Sequence, residues 1–183
     1  MRSFVAIPMP ETVARALAPV QAALPFGRLV EAENLHLTLA FLGDQPDRML
    51  EEVHFALETI RHPVFDLTLS GLDTFGAESP QVLNIGIQPA PGLTELQQRI
   101  KSRLHGVGLQ GERRRWHPHV TLARFPKIIT RDEIGRLGRF LAGRADHRLP
   151  PFRVTEFCLF ESILTSDGAH YEVLASYPLA AAG

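Results

Sequence analysis

The sequence predicts an α+β fold, a layered domain built of two similar half-domains. Three observations lead there. Stretches with helical spacing alternate with short strands, but the strands also come in pairs, which disfavours a doubly wound parallel sheet. A short segment, His36-Leu37-Thr38-Leu39-Ala40, returns 83 residues later as His119-Val120-Thr121-Leu122-Ala123, each copy between two helical stretches. No low-complexity segment and no glycine- or serine-rich linker divides the chain, so residues 1–183 read as one domain of two pseudo-symmetric lobes.

The elements follow in order. Residues 3–7 form a short strand closed by Pro8 and Pro10. From Glu11 to Leu24, Val13, Leu17, Val20 and Leu24 make one helical stripe, weakened by Pro19. Residues 35–42 alternate like a strand and stop at Gly43-Asp44. Leu50, Val53, Leu57 and Ile60 put a helix over 47–61, and 64–70 and 81–87 are two strands about a turn containing Gly76 and Pro80. The order then repeats. A helix over 92–107 carries Leu93, Leu96, Ile100 and Leu104. A polar stretch from Gln110 to Arg115 leads to a strand over 117–124 that opens at an awkward proline. A helix over 131–142 and strands over 152–160 and 170–177 complete the chain.

Composition bounds the function. The chain has 45% apolar and 21% charged residues, with a formal net charge of −1. That balance argues against a polybasic grip on long nucleic acid or on a membrane, but leaves recognition of a single phosphate open. No apolar run approaches the ~20 residues that cross a bilayer, and the N-terminal patch is too short for a signal peptide. A single cysteine, Cys158, cannot form an internal disulfide, so a reducing, cytoplasmic address and a buried thiol are expected. A monomer is expected.

The repeated segment carries the chemistry. Chance would place His-x-Thr in this chain about 0.4 times. Residues i and i+2 of a strand share a face, ~6.6 Å apart. His36 with Thr38, and His119 with Thr121, therefore point one way while Leu37 and Leu39 point into the core. A core is not economically filled with imidazoles and hydroxyls, each of which needs a partner. If a pseudo-twofold brings the strands together, two imidazoles and two hydroxyls converge. With an ordinary pKa of ~6.5, one imidazole can take a proton from water while the other gives one to a leaving oxygen. The hydroxyls can donate to non-bridging phosphate oxygens. Nothing in this scheme needs a metal or other cofactor. Arg124 could clamp the phosphate, but an ideal strand turns it to the wrong face, so a bend at the strand end is required.

These segments resemble the two-histidine phosphoesterases, and within them the RNA 2′,3′-cyclic phosphodiesterases also described as 2′-5′ RNA ligase-like. The resemblance rests on Asn34-Leu35-His36-Leu37-Thr38-Leu39-Ala40-Phe41-Leu42-Gly43 and on His117-Pro118-His119-Val120-Thr121-Leu122-Ala123-Arg124, with weaker echoes at Arg2–Ile7, Glu161-Ser162, Tyr171-Glu172 and Pro178-Leu179. It implies a bilobal, duplicated α+β fold with antiparallel sheets lining a central cleft and helices on the outside, and metal-independent opening of a terminal 2′,3′-cyclic phosphate to a 2′-phosphate. By position it implies His36 as proton donor, His119 as proton acceptor, and Thr38, Thr121 and Arg124 as phosphate contacts. RNA ends or cyclic-phosphate nucleotides are the implied partners. Arg114-Arg115-Trp116 departs from the Arg-Pro-Phe common in relatives.

Other readings stay open: a small cyclic nucleotide or a 2′-5′ oligonucleotide as substrate, a non-catalytic RNA-end binder, or a metal site built from His36, His117 and His119. Arg113 to Trp116 could grip RNA and stack a base, Phe4 and Phe41 could line a base pocket, and His54, His62, His105, His147 and His170 read as surface or turn residues.

Overall fold

Apolar stripes at helical spacing and strands of period two demand different partners, and the chain satisfies both by laying helices against one face of a sheet. The computed structural model describes residues 1–76, 79–110, 115–165 and 168–180. Its elements run β1 (Arg2–Pro8), α1 (Glu11–Ala22), β2 (Arg28–Leu29), a 3-10 turn (Ala32–Asn34), β3 (His36–Asp44), α2 (Asp47–Glu58), β4 (Phe65–Leu67), β5 (Leu69–Phe75), β6 (Val82–Ile87), α3 (Pro91–Gly106), β7 (His119–Arg124), α4 (Arg131–Ala142), β8 (Phe152–Val154), β9 (Glu156–Thr165) and β10 (Gly168–Pro178). The expected α+β class with antiparallel pairing is what forms.

The helices keep their expected faces. Val13, Leu17 and Val20 of α1, Leu50, Val53 and Leu57 of α2, and Leu93, Leu96, Ile100 and Leu104 of α3 are buried in one core with Val5, Ile7, Leu37, Leu39, Leu83, Ile85 and Val120 of the strands. Pro19 does not end α1; it lies in the last turns, where its missing N–H forfeits one helical bond. Thr130 caps α4 in a reciprocal arrangement with Glu133. The strand read over 64–70 is broken instead into β4 and β5, and β5 continues to Phe75. The awkward proline, Pro118, lies just before β7, where no ladder bond is asked of it.

The main sheet runs β10-β9-β1-β3-β7-β6-β5, with β2 also paired to β7. It consists of two halves joined where β3 meets β7 at one registered pair, Leu37 opposite Val120. The halves of the sheet are not the halves of the sequence. The succession β1–α1–β3–α2–β4–β5 recurs as β6–α3–β7–α4–β8–β9, but the last strand of each unit crosses over: β5 pairs with β6, and β9 pairs with β1. The short strands β4 and β8 pair with each other at the crossing. The reading of the second half as a plain repeat of the first misses this exchange, because period and spacing say which residues face a core but not whose core it is.

Candidate active site

Antiparallel pairing puts residues that face each other on the same side of a sheet. Leu37 and Val120 are both fully buried against the helices, so the residues flanking them point to the other face. Carrying the register one step each way sets His36 across from Thr121, and Thr38 across from His119. The two histidines then lie on a diagonal, a relation that spans ~7–8 Å between backbone positions. Two segments 83 residues apart thus become one four-cornered cluster about a local twofold.

The open face is defined independently by packing. Val5 and Ile7 of β1 belong to the main core, whereas Phe4 and Ala6 form a second cluster with Cys158 and Phe160, against which Tyr171 packs. Thr38 lies opposite Ala6, on that second side. Cys158 is buried there, its Sγ 3.3 Å from Ser176 Oγ, as expected for a small apolar residue. The His36 ring lies 4.8 Å from Phe4, 5.1 Å edge-on from Tyr171 and 6.4 Å from Phe160. The His119 ring stands edge-on to Phe75 at 4.7 Å. Each imidazole is therefore held by aromatic neighbours, which its own strand does not supply. Phe4 serves the histidine rather than an open base pocket, and the exposed ring is Phe41, at 55%.

Both imidazoles are anchored in the same way. Nδ1–H of His36 donates to the Asn34 carbonyl at 2.7 Å, and Nδ1–H of His119 donates to the His117 carbonyl at 2.7 Å. A carbonyl can only accept, so Nδ1 carries a hydrogen in each ring and the Nε2 lone pair is left for chemistry when the ring is neutral. Burial lowers the His36 pKa from its ordinary value; the bond to Asn34 opposes this, while the charges of Arg124 and His119 reinforce it. Burial likewise lowers His119, against the bond to the His117 carbonyl and with the charge of His117 adding to the shift.

Arg124 reaches the open face through a β-bulge. Along β7, Thr121 pairs with Asn84 and Ala123 with Leu83, leaving Leu122 as an extra residue. Leu122 and Ala123 both enter the core, so the alternation is reset and Arg124, exposed and opposite Val82, returns to the side of His119 and Thr121. The required bend at the strand end exists, and it is this bulge. The first motif has the same device: Thr38 pairs with Ala6 and Ala40 with Val5, leaving Leu39 extra and turning Phe41 toward Phe4. Their rings are 6.3 Å apart.

Other residues fall elsewhere. Trp116 is not free to stack a base; it packs on the core and its Nε1–H donates to the Thr38 carbonyl at 3.1 Å, bracing the first motif from the second. Arg115 is exposed, and Arg113 and Arg114 lie outside the described residues. His62 is not a surface residue: it is 2% exposed, with Nδ1–H donating to the Pro63 carbonyl at 2.8 Å. Among the described residues, no three His, Cys, Asp or Glu side chains gather to hold a metal ion. No helix among them is long and apolar enough to cross a membrane. Sequence reading missed Phe75 and Phe160, which carry no signal until the sheet is assembled, and gave Tyr171 no role beyond its echo of the family. It also missed Asn84, buried opposite Thr121 with its Nδ2 unpartnered. A polar side chain among Val82, Leu83, Ile85 and Ile87 was the available signal.

A sheet of two exchanged halves presenting one His-x-Thr from each defines a paired-histidine class of site. The model of the 2′-5′ RNA ligase superfamily matches residues 9–163, and the chain belongs to that family. It is 31% identical over 158 residues to a protein of Aeropyrum pernix named RNA 2′,3′-cyclic phosphodiesterase, covering 85% of this chain and 88% of the relative. It is 32% identical over 159 residues to the Escherichia coli protein of the same name, covering 84% and 80%. Its fold matches the crystal structure of E. coli LigT complexed with 3′-AMP, with a TM-score of 0.78 and 29% identity over 97% of both chains.

Proposed function

We propose that this protein hydrolyses the terminal 2′,3′-cyclic phosphate of RNA to a 2′-phosphate without a metal, using His36 and His119 as an acid–base pair, with residues 1–183 acting as one unit of two pseudo-symmetric lobes. One observation carries the reading: the pairing of Leu37 with Val120, which gathers two imidazoles and two threonine hydroxyls on one face. The names of the relatives support the substrate class.

The chemistry follows from the tautomers. Water attacks phosphorus and gives its proton to the Nε2 lone pair of His119. The bond from phosphorus to the ribose 3′ oxygen breaks, and that oxygen takes the proton from Nε2 of His36. The Nδ1 anchors leave Nε2 as the working atom in both rings. Thr38, Thr121 and Arg124 hold the non-bridging oxygens, where charge grows in the five-coordinate transition state. With the site empty, burial and the neighbouring positive charges disfavour the charged form of His36. A bound phosphate anion offsets those charges, so the acid's proton is stabilised by the substrate itself. Phe41, exposed on the same face, offers its ring to the base of the terminal nucleotide.

The test is a short RNA ending in a 2′,3′-cyclic phosphate, incubated with the protein and a chelator. Conversion to the 2′-phosphate is expected, and its loss in His36→Ala and in His119→Ala. An untouched end group refutes the reading, as does full activity in either variant.

A further inference from the structure

Arg124 has a cationic neighbour outside both motifs. Past the point where β3 leaves β7, the free edge of β7 is taken up by β2, with Arg28 opposite Arg124 and Leu29 opposite Ala123. Ala123 is in the core, so Arg28 shares the open face with Arg124. Cross-strand partners stand ~4.5–5.5 Å apart at Cβ, and like charges so placed repel. Among the described residues, neither guanidinium has a carboxylate within ion-pair distance.

The placement is built rather than incidental. Gly27 takes φ +112°, and a Cβ there would meet the Phe125 ring at 3.0 Å. The buried Gln21 donates from Nε2 to the carbonyls of Val30 and Leu122, at 2.8 and 2.9 Å, tying the strand after Arg28 to β7. From the other half of the sheet, the β9–β10 hairpin reaches across. Asn34 Nδ2 donates to the Ala169 carbonyl at 3.4 Å, and the Arg28 guanidinium lies against Gly168, so close that a Cβ there would overlap it. Gly168 has φ +129°, which also favours glycine. The backbone around Arg28 is thus tied to β7, its guanidinium lies against the hairpin of the other half, and two facing cations call for an anion.

We propose that Arg28 binds a second phosphate of the substrate, the phosphodiester that joins the terminal nucleotide to the rest of an RNA chain, while Arg124 holds the phosphate being opened. This rests on the cyclic phosphodiesterase reading and narrows it: the protein prefers an oligonucleotide end to a free cyclic mononucleotide. Arg28 makes no bond to the reacting atoms and acts on chain length alone.

The test compares kcat/KM for a short oligoribonucleotide ending in a 2′,3′-cyclic phosphate with that for cytidine 2′,3′-cyclic phosphate, in the native protein and in Arg28→Ala. A single charge-assisted contact predicts that the substitution lowers the ratio of oligonucleotide to mononucleotide on the order of tenfold. The salt slope for the oligonucleotide should also shrink by about 0.7, as for one phosphate contact on a single strand. An unchanged ratio overturns the proposal, whether both rates fall together (Arg28 then shares the scissile phosphate) or neither falls. If the native protein opens neither substrate, the phosphodiesterase reading fails first, an outcome distinct from an unchanged ratio.

Discussion

Phe41 and Arg124 occupy equivalent places, each five residues past a histidine and each turned to the open face by a bulge at the leucine two residues before, Leu39 or Leu122. The duplicated backbone therefore offers one aromatic ring and one guanidinium at related positions beside the same paired histidines. At this corner the two copies differ in kind, one apolar and aromatic, the other cationic.

Truncating Phe41 should separate binding from chemistry. Loss of one stacking surface costs ~1–3 kcal/mol. Phe41→Ala should raise KM for cyclic nucleotides about tenfold or more with kcat little changed, read from initial rates. Because the ring is already exposed, the melting temperature should stay close to that of the native protein.

Arg124→Ala should lower kcat/KM by roughly 10–100-fold, the effect of one charge-assisted contact of ~1.5–3 kcal/mol. Arg124→Lys should recover only part, because an ammonium lacks the planar fork. Equal activity in the lysine variant would show that charge alone is used.

Each histidine variant should lose a factor of ~10²–10⁴ in kcat. The double variant should lose far less than the product, because the pair acts as a unit. A fully multiplicative loss in single-turnover rates would speak against a shared step.

The empty protein should be less stable in acid. His36 and His119 have folded-state pKa values lowered by burial, so protons bind more readily to the unfolded chain. Their contribution is fully present above the unfolded value of ~6.5 and is lost as pH falls through the lower folded values. Melting temperatures from pH 8 to pH 5 should therefore fall less in a His36→Gln, His119→Gln double variant. Inorganic phosphate should partly restore the native protein at low pH by stabilising charged imidazoles.

Thr130→Ala removes one side of the α4 capping box and should cost about 1 kcal/mol by denaturant unfolding. Catalysis should be unaffected, since the cap serves only the helix end.

Much of the site is legible in the sequence. Period two places His36 with Thr38 and His119 with Thr121, and helical stripes such as Leu93, Leu96, Ile100 and Leu104 mark the buried faces. These are local properties, set by backbone periods within a few residues. What the chain alone leaves undecided is every relation across strands. Arg124 has the wrong parity until Leu122 bulges; Trp116, suited by type to stacking, is spent on the Thr38 carbonyl; His62 goes inside. The rings of Phe75, Phe160 and Tyr171, and the neighbour Arg28, join the site only through pairings between strands far apart in the chain. The residue types and their spacing determined what chemistry was available, whereas the exchange of β5 and β9, the two bulges and the capture of β2 by β7 decided which groups meet, because register between distant strands is settled by whole-sheet packing and not by any one segment.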